Sequence, residues 1–245
     1  MTIHSRPHPL PFLVTMELPC AYLPGRMERK IVTELAGPGA ADTYEILSRA
    51  GFRRSHSIAY RPACSGCAAC VPVRVVAREF RPGRSLRRIK RWNGDLTARI
   101  EPPLGTQEQY RIFARYLEKR HGDGEMAGMS FREYRSMVED SPLRTRLIEF
   151  RDPGGSLVAC CLADWTRDGL SAVYSFFDPD LSHRSLGSYM ILWLIDEAQR
   201  LGLPYVYLGY WIAESRKMAY KARFRPLESF GPEGWRRLDP PAGNG

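Results

Sequence analysis

The stretch LSAVYSFFDPDLSHRSLGSYMILWLIDEAQRLGLPYVYLGYW, residues 170–211, places a strand, a long apolar helix and a second strand in one run. LSAVYSFF and YVYLGYW are rich in aromatic and β-branched residues, the composition that fits a pleated, buried surface. Between them RSLGSYMILWLIDEAQRLG reads as a buried helix stopped by Gly202. Upstream, RTRLIEF and SLVACCLADWT are strand-like, and the turns DPGG and RDG join them to LSAVYSFF as an antiparallel meander. Two amphipathic helices come before. Thr106 with Gln109 forms a capping box ahead of the stripe Tyr110, Phe113, Ala114 and Leu117, and Ser130 with Glu133 repeats the device for FREYRSMVED.

The order helix, helix, three antiparallel strands, long helix, strand resembles the acetyltransferase-like (GNAT) α/β fold. In that fold the strands before and after the long helix splay apart and open a cleft, so the resemblance implies that LSAVYSFF and YVYLGYW diverge. Arg184 and Gly187 in HRSLGSYM match its phosphate-cradling turn, but Tyr189 stands where a small residue belongs. That bulk obstructs the approach of a pyrophosphate to the backbone N–H groups. The implied chemistry is acyl transfer, with a donor other than acetyl-CoA.

Pro102, Pro103 and Gly105 interrupt the pattern. They set a soft boundary between an N-terminal lobe, residues 1–103, and a GNAT-like catalytic domain, residues 104–245. The fold class expected is thus α/β (α+β), an acyltransferase domain preceded by a smaller cysteine-bearing α/β lobe. Within the lobe MERKIVTELAGP reads as a short helix, ADTYEILSRAGFRRS as a helix ending at Gly51, and VPVRVVARE as a strand. No apolar run is long enough to span a membrane. The start, MTIHSRPHPLPFLVTMELPC, lacks the apolar core of a secretion signal. The expected location is the cytoplasm.

Net charge is +9, and residues 81–91, RPGRSLRRIKR, hold Arg81, Arg84, Arg87, Arg88, Lys90 and Arg91 with no acid. Positions 81, 84, 88 and 91 share a helical face, which favours a polyanionic partner over a merely solvated loop. The lobe also holds Cys64, Cys67 and Cys70 at a spacing of three, with Cys20 the available fourth thiol. Four thiolates are the donor set of structural zinc or of an iron–sulfur cluster; the alternative is reduced cysteines packed as small apolar groups. Cys160 and Cys161 fall in a central strand, where burial explains them.

Three segments carry a more specific likeness: DPDLSHRSLGSYMILWLI, YLGYWIAESRKMAYKARFRPLE, and CAYLPGR together with YRPACSGCAACVPVRV. They resemble the aminoacyl-tRNA–protein transferases, relatives of the eukaryotic arginyltransferases, over nearly the whole chain. The resemblance implies transfer of leucine from Leu-tRNA to proteins that begin with Asp or Glu, marking them for degradation. Arginine donation is one alternative reading, and a zinc-braced RNA-binding module without catalysis is another. It also leans toward metal or iron–sulfur at the cysteine cluster, since the eukaryotic relatives carry one there.

Aminolysis of an ester needs no cofactor, only positioning, removal of a proton from the amine and stabilisation of the oxyanion. Asp178, at the end of the first splayed strand, is the candidate to orient or deprotonate the amine, with Tyr210 and Lys217 beside it. Trp211 and Tyr220 offer faces for a terminal adenosine and Lys221 a charge for its phosphates. Arg84, Arg87, Arg88, Lys90 and Arg91 would grip the tRNA backbone. An acidic acceptor residue needs a cation near the amine, and Arg53, Arg54 and Arg74 are the candidates.

Overall fold

The computed structural model describes residues 10–121 and 128–238. Its first part runs β1 (Leu13–Val14), β2 (Leu18–Pro19), β3 (Met27–Glu28), β4 (Lys30–Glu34), α1 (Ala40–Arg49), β5 (Arg53–Ser55) and β6 (Ile58–Pro62). Then come β7 (Val71–Val76), α2 (Arg84–Trp92), β8 (Thr97–Glu101), α3 (Gln107–His121) and α4 (Phe131–Glu139). The remainder is β9 (Thr145–Arg151), β10 (Leu157–Thr166), β11 (Gly169–Phe177), α5 (Leu186–Arg200), β12 (Tyr205–Trp211), β13 (Leu227–Gly231) and β14 (Gly234–Arg237).

An eight-stranded sheet, in the order β14-β13-β7-β12-β11-β10-β9-β8, carries the meander and the strand after the long helix as expected. α5 and α2 pack on one face through Leu86, Ile89, Leu186, Met190, Leu194 and Ile195. α3 and α4 cover the other through Phe113, Leu117, Tyr134 and Val138. Each fully buried Leu, Ile or Phe contributes about 1.5–3 kcal/mol, so the two apolar layers hold the sheet firmly between them. Cys160 and Cys161 divide between these cores, as neighbouring strand residues must. Both capping boxes form: the Thr106 N–H donates to Gln109 Oε1 at 2.8 Å, and that of Ser130 to Glu133 Oε2 at 2.7 Å. Among the described residues no helix is long and apolar enough to cross a membrane.

Two expectations for the lobe change. MERKIVTELAGP is β3 and β4, not a helix, and β4 pairs β6 in a four-stranded sheet, β1-β4-β6-β5. The β-branched run Ile31, Val32 and Thr33 favours the pleat, and β6 offers a ladder that local propensity cannot anticipate. The boundary at 103 is not where the layers divide. β7 lies between β13 and β12, and β8 edges the same sheet, so the lobe proper is the small sheet with α1.

Candidate active site

β11 and β12 pair in parallel over only three positions, Gly169 with Tyr205, Leu170 with Val206 and Ser171 with Tyr207. The close approach at their start is absolute: a Cβ on Gly169 would lie 2.5 Å from the Tyr205 carbonyl oxygen. Beyond Ser171 the strands part, and β12 keeps its ladder on the other side with β7. Two irregularities shape the gap. The β10–β11 register shifts at Leu162/Ala163, leaving Val173 as an extra residue on β11, and the β12–β7 register shifts between Tyr207 and Gly209.

The Arg53 side chain enters that gap. Arg53 Nη2 donates to the carbonyls of Ala172 and Val173, at 2.9 and 2.8 Å. These are β11 groups that the departure of β12 leaves without a ladder partner, and the bulge supplies two neighbouring carbonyls to one nitrogen. Opposite, Gly209 has φ +69°, and a Cβ there would lie 2.0 Å from Arg53 Nη1. Only glycine fits both the left-handed backbone and the guanidinium. Arg53 is half-buried, and no carboxylate pairs with it among the described residues.

The other candidate residues fall elsewhere. Arg54 is buried, its guanidinium bidentate on Asp164 at 2.7 and 2.8 Å, and Asp164 also accepts from the Thr145 hydroxyl at 2.6 Å. Arg74 is paired with Glu228 at 2.9 Å and lies over the Tyr205 ring at 3.5 Å and the Trp235 ring at 4.3 Å. Both have their charge neutralised within the protein, so neither is left to meet an acidic acceptor. Tyr210 is buried, and its single hydroxyl proton is shared between the carbonyls of Gly51 and Tyr60, at 3.1 and 3.0 Å. Burial raises its pKa above the ordinary phenol value.

Asp178 lies just past the open end of β11, where its Oδ1 accepts from the Asp180 N–H at 3.0 Å and meets Arg115 of α3 at 3.2 Å. This carboxylate holds a turn and an ion pair, which is the work of a cap rather than of a free base. Lys221 is 5% exposed and donates to the Tyr210 carbonyl at 2.6 Å, so it does not reach out to a phosphate. Burial, then the neighbouring Arg53 charge, holds its pKa well below the ordinary lysine value. Trp211 donates to the Ala219 carbonyl at 3.3 Å, and Tyr220 packs edge-on against Phe224. Both remain half-buried rather than fully enclosed. Lys217 is exposed in the loop after β12.

α2 is a helix as its periodicity requires, with Leu86 and Ile89 buried and Arg84, Arg87, Arg88 and Arg91 exposed. Lys90 pairs with Asp196 on α5 at 2.6 Å. An open hollow of about 650 Å³ is lined by Pro82, Arg84, Arg87, Lys90 and Arg91. Arg223 reaches from the short turn Ala219–Arg223 to the Ser85 hydroxyl at 3.3 Å. The basic helix is therefore tied to the same turn that carries Tyr220 and Lys221 beside the gap.

The four lobe cysteines gather around the hairpin of β2 and β3. Cys64 Sγ accepts from the Arg29 N–H at 3.4 Å and Cys67 Sγ from Arg26 Nη1 at 3.3 Å. Burial pushes the Cys70 thiol up to about 12, and the charges of Cys20, Cys64 and Cys67 push the same way. Yet among the described residues no three His, Cys, Asp or Glu side chains are arranged to hold a metal ion.

Sequence reasoning named Arg53 but passed over its neighbour across the gap, Gly209. A single glycine inside the aromatic run YVYLGYW is the signal, since an isolated glycine in a strand marks a bulge or a close approach.

Comparison with known proteins identifies relatives of the chain. A family model described as arginine-tRNA-protein transferase, C terminus, matches residues 108–231, and one described as arginine-tRNA-protein transferase, N terminus, matches residues 18–88. An aspartate/glutamate leucyltransferase of Paramagnetospirillum magneticum is 63% identical over 236 residues, covering 96% of each chain. One of Rhodospirillum rubrum is 57% identical over 236 residues, covering 96% of this chain and 95% of the relative. Among solved structures, L-PGS from Bacillus licheniformis shares 14% identity at a TM-score of 0.45, over 59% of this chain and 47% of that one. With both family models matched and these relatives aligned almost end to end, the chain belongs to the arginine-tRNA-protein transferase family.

Proposed function

We propose that this chain transfers leucine from Leu-tRNA to the α-amine of proteins that begin with Asp or Glu, and that the ester and the amine meet at the gap between β11 and β12. The observation that carries the reading is the link from Ser85 of the basic helix to Arg223, which sets a strongly basic surface beside a diverging pair of strands. The amine attacks the ester carbonyl, a tetrahedral oxyanion forms, and the ribose oxygen leaves with a proton. A protein α-amine titrates near 7.7–8.0, so a sizeable fraction is already neutral and positioning supplies most of the acceleration. Half-buried Trp211 at the end of β12, with exposed Lys217 and half-buried Tyr220 after it, supports the reading that this segment holds the adenosine end. Charged tRNA and newly exposed acidic N-termini occur together in the cytoplasm, where such tagging would mark proteins for degradation.

The test mixes labelled Leu-tRNA with a peptide beginning with Glu and follows peptide-bond formation. Transfer is the expected result. Transfer from Arg-tRNA alone would favour arginine donation, and RNA binding without transfer would favour a non-catalytic module.

A further inference from the structure

An enzyme that selects acidic first residues needs a positive charge that the protein has not already neutralised. Around the gap that requirement is restrictive. Arg54 and Arg74 each have a carboxylate partner, and the Lys221 amine is buried on a backbone carbonyl. Arg53 differs from the two arginines in that its partners are carbonyls, which fix the group without cancelling its charge, and from Lys221 in that its guanidinium keeps further donors once those bonds are made.

A guanidinium has five N–H donors, and the two on Nη2 serve Ala172 and Val173. The donors on Nε and Nη1 have no acceptor among the described residues. The side chain is thus held at one end by strand carbonyls and steered at the other by the absence of a Cβ on Gly209. Fixing a long side chain in advance lowers the ordering cost of binding.

We propose that Arg53 is the specificity-determining residue for the acceptor, pairing with the carboxylate of its first residue, and that Gly209 is the position that lets it do so. This rests on the gap being the site of transfer, as argued above. The same plug fills the space between the splayed strands from the lobe side, so the lobe sets acceptor choice for chemistry performed on the large sheet.

The experiment measures kcat/KM with Leu-tRNA for two peptides alike except for Glu or Gln at the first position. The Glu/Gln ratio is internally controlled, because partial misfolding lowers both rates together. In Arg53→Gln the ratio should fall about tenfold to a hundredfold, the weight of a charge-assisted hydrogen bond. Gly209→Ala, which displaces the guanidinium while keeping it, should lower the ratio in the same direction, and Arg53→Lys should restore part of what Arg53→Gln loses. A ratio unchanged in both Arg53→Gln and Gly209→Ala overturns the assignment while leaving leucine transfer intact. A wild-type protein that transfers leucine to neither peptide overturns the proposed function and this inference together.

Discussion

Lys221 shows how a residue's chemistry depends on its place in the fold. Opposite Tyr210 on β7 stands Pro72, which has no N–H to give, and the lysine amine donates to the Tyr210 carbonyl instead. Nothing in the local spacing of YWIAESRKMAYKARFRP shows this, because Pro72 is remote in sequence. The pH consequence follows from the sign of the shift. Burial, then Arg53, lowers the native pKa well below 10.5, so between those values the unfolded chain binds a proton that the native protein does not. Stability from this group therefore rises with pH through that window, by about 1.4 kcal/mol per unit. Lys221→Met removes the slope. Urea unfolding of both proteins at pH 8.5 and pH 10 should show the variant's relative advantage shrinking as pH rises, and parallel pH profiles would refute the depressed titration. Asp178 makes the same point in reverse. Its position at the end of β11 was legible, but its partner Arg115 lies on α3, and only the folded chain reveals that the carboxylate is already engaged.

Periodicity served best where one element buries a single face against a large neighbour. The meander β9 to β11, the helix α5 and the strand β12 were legible because strand alternation and helical stripes are set by burial, which composition records. It failed for Lys30–Glu34, a short run whose state is chosen by its pairing with β6 and not by its own residues. α2 lies between these cases: its charge pattern announced a helix, while its anchoring by Lys90–Asp196 and Arg223–Ser85 was invisible. That anchoring gives the helix a measurable role. Arg87 and Arg91 are exposed on the rim of the hollow and lie outside those anchors. The double variant Arg87→Ala, Arg91→Ala should weaken Leu-tRNA binding and reduce the slope of log affinity against log salt by about one for each phosphate left without its cation. Binding measured between about 50 and 200 mM salt decides it. An unchanged slope would move the RNA off this helix.

At the scale of the molecule, the small lobe is fastened to the large sheet mainly by charged and polar groups. Arg54 joins Asp164, Arg49 joins Asp168 at 2.9 Å, Trp235 donates to the Arg49 carbonyl at 2.7 Å, and Arg167 reaches Asp42. Most of these are exposed enough to contribute little, but both side chains of the Arg54–Asp164 pair are 0% exposed. Removing one partner of such a pair strands a charge away from water, which costs about 3–5 kcal/mol, a large share of the roughly 5–15 kcal/mol that holds a domain folded. Replacing both partners leaves no stranded charge. Arg54→Leu and Asp164→Leu should each destabilise by that amount in urea unfolding, and the double variant should recover much of the loss as a coupling energy. The lobe position also sets Arg53, one residue before Arg54, so the single variants should lower the Glu/Gln acceptor ratio as well as stability. Full additivity of the two substitutions would show that the pair does not act as a unit. An unchanged acceptor ratio in a destabilised Arg54→Leu protein would show that the clamp holds the lobe in place without setting the guanidinium in the gap.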